Sequence, residues 1–128
     1  MLTENLISGQ IIKAAIEVHR NLGPGLLEST YEACLLHELL DSGLCARSQL
    51  PLPVLYKGIS IDAGYRIDLL VEDQVIVELK AVERLLPIHS AQILTYLKLS
   101  DLKVGLLMNF NTVRIKEGIQ RFINSRRL

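Results

Sequence analysis

Three side chains that can act together in catalysis occur within a short part of the sequence: Asp68, Glu78 and Lys80. In an extended strand successive side chains point to opposite faces, so Glu78 and Lys80 share one face. Two carboxylates held close together repel each other, and the arrangement becomes favourable when a divalent cation lies between them. Oxygen ligands suit Mg²⁺ or Mn²⁺, and a neighbouring lysine can orient or deprotonate an attacking water. These residue types fit phosphodiester hydrolysis, although alternating acids and bases are also common on a solvated sheet face.

The position of Asp68 depends on the turn between two apolar runs, which are separated by the polar break 72–74. A three-residue loop places Val71 opposite Val75, and Asp68 then falls opposite Glu78 on the same face. A two-residue turn directs the Asp68 carboxylate to the other face, because a slip of one residue flips every side chain. The predicted site therefore requires the three-residue loop.

Two helices are predicted ahead of these strands. Apolar residues at helical spacing predict a helix over Leu6–Leu22, which Thr3 caps and the segment 23–25, Gly-Pro-Gly, ends. An apolar residue at every fourth position then predicts a second helix over Glu28–Ser42. Its first residue, Glu28, is an acid at the positive end of the helix dipole.

The strands that follow are predicted from apolar alternation and from breaking residues. The segment Arg47–Tyr56 contains Pro51 and Pro53, so we expect an edge strand. Lys57 and Gly58 then predict a hairpin turn. The further strands are expected over Ile59–Asp62, Tyr65–Val71 and Val75–Val82.

The last part of the chain predicts a crossover helix and a buried strand. Pro87 lies where a helix over Ile88–Leu99 would begin, and the near-continuous apolar run Lys103–Phe110 suits a strand inside the sheet, parallel to the one that contains Glu78. A strand over Thr112–Lys116 and a short closing helix over Gly118–Asn124 complete the prediction. The fold class is α/β, with a mixed central sheet flanked by helices.

Composition limits the partners. Acids and bases balance at 14 each, so any contact with nucleic acid must be local. Apolar residues make up 49% of the chain, which is compatible with a homodimer.

Cys34 and Cys45 have no metal-ligand spacing, and we expect reduced thiols in the cytoplasm. There is no signal-peptide pattern and no apolar run of about 18 residues, so no membrane partner is expected.

A family resemblance covers nearly the whole chain. Residues 25–31 read GLLESTY, a G-x-x-E-x-x-Y motif, and the segments GYRIDLLVEDQVIVELKAVE, IHSAQILTYLKL and GLLMNF follow in order. Together they resemble the PD-(D/E)XK nuclease superfamily, and within it the small branch named for the G-x-x-E-x-x-Y motif. The resemblance implies a restriction-endonuclease-like αβββαβ core in a single domain over residues 1–128. It also implies Mg²⁺ or Mn²⁺ as cofactor and DNA or RNA as substrate.

The resemblance also assigns roles by position. Asp68 and Glu78 take the places of the two acids, and Lys80 that of the lysine. Glu28 matches an additional helix carboxylate, so the implied metal ligands are Glu28, Asp68 and Glu78. The signature has proline where this chain has Ile67, a replacement that is frequent in the superfamily.

Gln92 and Tyr96 resemble the Q-x-x-x-Y helix motif of the same group. Their i, i+4 spacing puts both on one helix face, where they would position the substrate strand or the water bound to the metal. His89 lies three residues before Gln92 and could approach the same site. The other histidines lack the short spacing of a shared metal site.

Several of these residues also have ordinary structural interpretations. Glu28 can simply stabilise a helix start, Tyr31 fits core packing, and Gln92 can be an exposed helix residue. Exposed basic side chains on the surface are expected at Lys13, Arg20, Arg121, Arg126 and Arg127. Some of them should lie beside Asp68 if the protein binds nucleic acid.

The sequence favours a metal-dependent nuclease over two alternatives. One is a non-catalytic module on the same fold that binds nucleic acid or a nucleotide. The other is a subunit that serves protein–protein interaction, an alternative that the apolar composition suggests.

Overall fold

A computed structural model describes residues 2–125, which form three α-helices and seven strands. The helices are α1 (Glu4–Leu22), α2 (Glu28–Asp41) and α3 (Pro87–Ser100), and a 3₁₀ turn spans Ile115–Gly118. The strands are β1 (Ala46–Pro51), β2 (Val54–Tyr56), β3 (Ile59–Ile61), β4 (Arg66–Val71), β5 (Val75–Lys80), β6 (Val104–Asn109) and β7 (Ile119–Ile123). No helix within these residues is both long enough and apolar enough to cross a membrane.

Five strands form one mixed sheet in the order β1-β4-β5-β6-β7. Strands β5 and β6 are parallel and α3 connects them, whereas the other neighbours are antiparallel. The predicted interior position of the apolar run over β6 is confirmed. Strands β2 and β3 form a separate hairpin inserted between β1 and β4. The elements α2, β1, β4, β5, α3 and β6 reproduce the predicted αβββαβ order.

Helices cover both faces of the sheet. On one face α1 and α2 pack on alternate residues of the central strands, for example Val77, Leu79 and Leu106. On the other face α3 places Ile93 and Leu97 against the sheet. The central strands are therefore buried from both sides, which explains their nearly continuous apolar sequence.

The G-x-x-E-x-x-Y segment builds the connection between α1 and α2. Gly25 has a φ of 103°, a region that favours glycine. The Tyr31 hydroxyl accepts a hydrogen bond from the Leu26 amide at 3.1 Å and donates one to the Gly23 carbonyl at 2.6 Å. The Tyr31 ring is fully buried and stacks on Phe110, with 4.6 Å between ring centroids. The core interpretation of Tyr31 is therefore confirmed.

The β4–β5 hairpin has the three-residue loop that the predicted site requires, because Val71 pairs with Val75. Glu72 and Asp73 both have positive φ, at 55° and 54°. Such conformations are unfavourable for residues with side chains. Two bonds between Glu72 and Cys45 hold the loop against the start of β1, since the Cys45 amide donates to the Glu72 carboxylate and the Glu72 amide donates to the Cys45 carbonyl.

The proline-containing strand is at the sheet edge, as predicted, but it is shorter. Strand β1 ends at Pro51, and the second half of the predicted strand leaves the main sheet to pair with β3. Pro51 and Pro53 separate the two halves because neither can donate an amide to a ladder.

The predictions for the end of the chain were wrong. Residues 112–116 form bends and the start of the 3₁₀ turn, where a strand was expected. The predicted closing helix is strand β7, which pairs antiparallel with β6. The apolar residues of this segment cannot indicate its partner, and the unpaired edge of β6 favours a strand there.

We predict that Gly118→Ala destabilises the fold by about 1–3 kcal/mol, because its Cβ would lie 2.3 Å from the Asn109 main-chain oxygen, which cannot rotate away. The matched change Gly9→Ala, in α1 with no atom within 4 Å of the new Cβ, should stabilise by about 0.5–1 kcal/mol. Urea unfolding of both variants tests this. Equal effects at the two sites would contradict the packing explanation.

Candidate active site

Strands β4 and β5 separate at the residues that carry the predicted acids. Their pairing ends at Leu69 and Val77. Beyond that point β4 continues along β1, with Leu50 opposite Ile67, and β5 continues along β6, with Glu78 opposite Leu107. We call this divergence the fork. The main-chain amides inside the fork have no carbonyl partners across it, so they need other acceptors.

The carboxylates of Asp68 and Glu78 supply these acceptors. The Asp68 amide donates to Glu78 Oε2 at 2.8 Å, and the Leu79 amide donates to Asp68 Oδ2 at 2.9 Å. These two bonds cross the fork in opposite directions and hold both side chains. The structure therefore brings together the two acids that the sequence singled out.

Burial makes this carboxylate pair difficult to ionise. Glu78 is only 4% exposed, and its burial raises its pKa to about 8, with the negative charge of Asp68 adding to the effect. Burial also raises the pKa of Asp68, although the amide of Leu79 and the charge of Lys80 oppose the shift. Both causes destabilise the ionised pair, so a cation beside it would be favourable.

Lys80 lies on the side of the fork that α3 covers. Its Nζ donates to Gln92 Oε1 at 3.3 Å, and Gln92 Nε2 donates to the Tyr96 hydroxyl at 3.3 Å. In the part of the chain that the structure describes, Lys80 forms no ion pair with Asp68 or Glu78. Its amine is thus held by the helix, and its charge favours the ionised form of both carboxylates without a direct ion pair to either.

A third acid approaches from α2, and it is Glu32. Its carboxylate accepts a hydrogen bond from Gln49 Nε2 at 2.8 Å, and the same nitrogen lies 3.4 Å from Asp68 Oδ1. Burial raises the pKa of Glu32, and repulsion from Asp68 and Glu28 adds to the shift. Glu28 itself is exposed at the first residue of α2, and among residues 2–125 no hydrogen bond or ion pair joins it to Asp68 or Glu78.

Sequence reasoning missed both Glu32 and Gln49. Glu32 could have been noticed, because it follows Glu28 at i+4 and shares its helix face. Gln49 gave no signal, because its position depends on a φ of 54° within the edge strand.

Asn109 at the end of β6 fixes the chain just beyond Lys80. Its Oδ1 accepts from the Val82 amide at 3.1 Å and its Nδ2 donates to the Val82 carbonyl at 2.9 Å. The side chain thereby imitates a further step of the parallel ladder, and the Phe110 amide bonds the Lys80 carbonyl at 2.9 Å. Asn109 is 2% exposed, which suits a positioning role.

A model of the PD-(D/E)XK nuclease superfamily matches residues 5–122, which include every element from α1 to β7 apart from the first residue of α1 and the last of β7. The chain belongs to this superfamily. No curated protein and no solved structure matches it. The mixed five-stranded sheet flanked by helices agrees with the restriction-endonuclease-like fold of PD-(D/E)XK proteins, which generally use divalent metals.

The oxygen atoms at the fork of this PD-(D/E)XK domain supply some, but not all, of the ligands that a hard divalent cation needs. Each carboxylate gives one oxygen to a main-chain amide, and Glu78 Oε1 accepts no hydrogen bond from the described residues. Mg²⁺ commonly takes one or two protein carboxylates and fills its other positions with water and phosphate. As the side chains stand, residues 2–125 contain no group of three or more His, Cys, Asp or Glu side chains that could hold a metal ion.

The remaining residues that the sequence singled out lie elsewhere. His89 Nδ1 accepts the Leu86 amide at 2.9 Å and so helps to begin α3. Arg20 pairs with Glu17 on α1, and Arg121 donates to Asn5. Neither arginine is beside Asp68, and Arg126 and Arg127 lie outside the described residues. Cys34 and Cys45 are both free thiols.

We predict that the metal-free protein loses stability as pH rises and that Glu78→Gln removes much of this loss. The folded-state pKa of Glu78, about 8, is above its ordinary value of 4.5, so its contribution is present below about 4.5 and is lost as pH rises through about 8. Between about pH 5 and pH 9 the wild type should lose on the order of 2 kcal/mol more than the variant. Urea unfolding in EDTA measures the difference. Glu83→Gln, at an exposed acid, should behave as wild type, and identical pH profiles for all three proteins would contradict the burial of Glu78.

Proposed function

We propose that the protein is a metal-dependent nuclease that hydrolyses phosphodiester bonds of nucleic acid, formed by a single PD-(D/E)XK domain of the G-x-x-E-x-x-Y branch. The observation that carries the proposal is the buried pair Asp68 and Glu78, held by crossed hydrogen bonds at the fork with Lys80 beside it. A pair of carboxylates that repel each other without a cation is a costly structural device and a useful catalytic one.

Asp68 and Glu78 are the residues that would hold Mg²⁺ or Mn²⁺. When bound, such a cation supplies positive charge that offsets the charge of the scissile phosphate and lowers the pKa of water. The amides of Asp68 and Leu79 keep one oxygen of each carboxylate fixed, so the two side chains are oriented before any ligand arrives.

Lys80 acts on the attacking water or on the phosphate oxygens. Because no carboxylate forms a direct ion pair with its amine, its charge can orient water or stabilise charge that develops in the transition state. Gln92 holds the amine in place, and the Tyr96 hydroxyl orients Gln92. These two residues are therefore positioning residues in the proposed mechanism.

Glu32 is the third carboxylate of the proposed site. It shares Gln49 with Asp68, and a small movement of that amide would let it approach the same ligand. Glu28, the acid that the family resemblance indicates, is one helical turn further out and acts on the site through repulsion of Glu32.

We predict that Asp68→Asn and Lys80→Met each lower metal-dependent cleavage by about 100-fold or more, because each removes a charge that the reaction needs. Cleavage of labelled DNA and RNA, as single strands and duplexes with Mg²⁺ or Mn²⁺, measures the loss. Calorimetric titration with Mn²⁺ separates the roles: Asp68→Asn should abolish binding, and Lys80→Met should retain it.

Lys13→Met, a matched change on α1, serves as the control and should leave cleavage unchanged. Wild-type protein that binds nucleic acid but yields no metal-dependent product would instead support the non-catalytic binding module. Protein that neither binds nor cleaves nucleic acid would favour the third alternative, an interaction subunit.

We predict that Glu32→Gln lowers cleavage by about 10- to 100-fold, as loss of a residue that orients a ligand does, and that Glu28→Gln lowers it less. The two changes are chemically identical and one helical turn apart on α2. Comparison of their kcat/KM values shows which acid serves the site. A larger loss at Glu28 than at Glu32 would refute the assignment of Glu32.

A further inference from the structure

A pocket of about 330 Å³ opens beside the candidate active site. Most of its wall consists of apolar side chains and two tyrosine rings, Val54, Ile88, Ala91, Leu99, Tyr65 and Tyr96, and the polar residues Gln92 and Thr95 complete it. This volume is at the small end of the range for ligand pockets, about 300–1,000 Å³, so it suits one flat ring system better than an extended ligand.

The pocket and the active site share residues. Gln92 and Tyr96 line the pocket, and the same Gln92 receives the hydrogen bond from Lys80. The negative charge of Glu78 also contributes to a raised pKa of Tyr96, behind the larger effect of burial. Whatever occupies the pocket is therefore one side chain away from the residues proposed to act on the phosphate.

Tyr65 gives the pocket an accessible aromatic surface. It is 47% exposed, and its ring stands edge-on to Tyr96, with 6.4 Å between centroids and 65° between planes. Two rings in this arrangement form a corner in which a flat aromatic ligand can stack on one ring and meet the edge of the other. Nucleobases are such ligands, and stacking on tyrosine is tolerant of sequence.

The charge of the chain favours contacts with bases over contacts with the backbone alone. With 14 acids and 14 bases, the protein has no net charge with which to follow the phosphates of a duplex. Affinity must then come largely from local contacts. Paired bases are stacked inside a duplex, whereas the bases of a single strand can enter a pocket.

We propose that this pocket binds an unpaired nucleobase next to the phosphate at the fork, so that the substrate class is single-stranded nucleic acid. The proposal rests on the proposed nuclease function for the position of the phosphate. Ile88, at the helix start, and Tyr65 are the large apolar and aromatic side chains of the pocket that are most open to solvent, so an entering base would meet them early.

Binding of fluorescent oligonucleotides in EDTA tests the pocket without turnover. Single strands of about 12 nucleotides, as DNA and as RNA, should bind at least about tenfold more tightly than the matching blunt duplexes. Tyr65→Ala should weaken single-strand binding by about five- to tenfold, and Tyr65→Phe, which keeps the ring, should retain it. Ile88→Asp should weaken binding, whereas Val113→Asp, at an 87% exposed site outside the pocket, should not.

A strand of abasic residues supplies the decisive comparison. It should bind the wild type at least as weakly as the normal strand binds Tyr65→Ala. With this strand Tyr65→Ala should cause no further loss, because the base that Tyr65 contacts is already missing. Equal affinity for strand and duplex, or an equal effect of Tyr65→Ala on normal and abasic strands, would overturn the proposal. The proposal would also be overturned if Ile88→Asp shifted the monomer–dimer equilibrium without changing the affinity for nucleic acid. That result would make the pocket a contact between copies of the chain.

Cleavage assays on the same oligonucleotides distinguish the two proposals. Tyr65-dependent binding of single strands without any metal-dependent product would refute the nuclease and support the pocket. Cleavage that Asp68→Asn abolishes, but that is equally fast on strand and duplex and indifferent to Tyr65, would refute the pocket and support the nuclease.

Discussion

Two hydrogen bonds across the fork between β4 and β5 hold the pair of acids around which the rest of the candidate site is arranged. The amides of Asp68 and Leu79 would lack partners where the strands separate, and the carboxylates of Glu78 and Asp68 accept them. An unsatisfied buried amide costs free energy comparable to a lost hydrogen bond. The main-chain amides at this point therefore need hydrogen-bond acceptors. Because these acceptors are carboxylates, two acids lie close together in a mostly buried location.

The fork is supported from three directions. Helix α2 contributes Glu32 through Gln49, helix α3 contributes Gln92 and Tyr96 beside Lys80, and the end of β6 fixes the chain after Lys80 through Asn109. Each support consists of side chains on regular elements, which hold a geometry more closely than loops do. The burial that results raises the pKa of Glu78, so the metal-free protein gives up stability for an oriented pair of acids.

The sequence predicted those parts of the fold whose cause is local. The periodicity of α1 and α2, the proline at the start of α3 and the apolar run of β6 depend on neighbouring residues, and their predictions are confirmed. The sequence left the loop 72–74 open between two and three residues, and the pairing of Val71 with Val75 shows the three-residue loop on which the meeting of Asp68 with Glu78 depends. The segment after β6 was assigned wrongly, because its strand is stabilised by the open edge of β6 and its own pattern suits a helix equally well.

The choice between Glu28 and Glu32 shows why the candidate site was only partly predictable. Both acids lie on one face of α2, and which of them meets the fork depends on how far the helix is shifted along its axis. The G-x-x-E-x-x-Y segment holds the start of α2, since Gly25 has a positive φ in the turn before it and the Tyr31 hydroxyl bonds the Gly23 carbonyl. If the proposed role of Glu32 is correct, the motif contributes to the site chiefly by holding α2, and a residue outside the motif presents the carboxylate. A motif that positions a helix need not contain the group that the helix delivers.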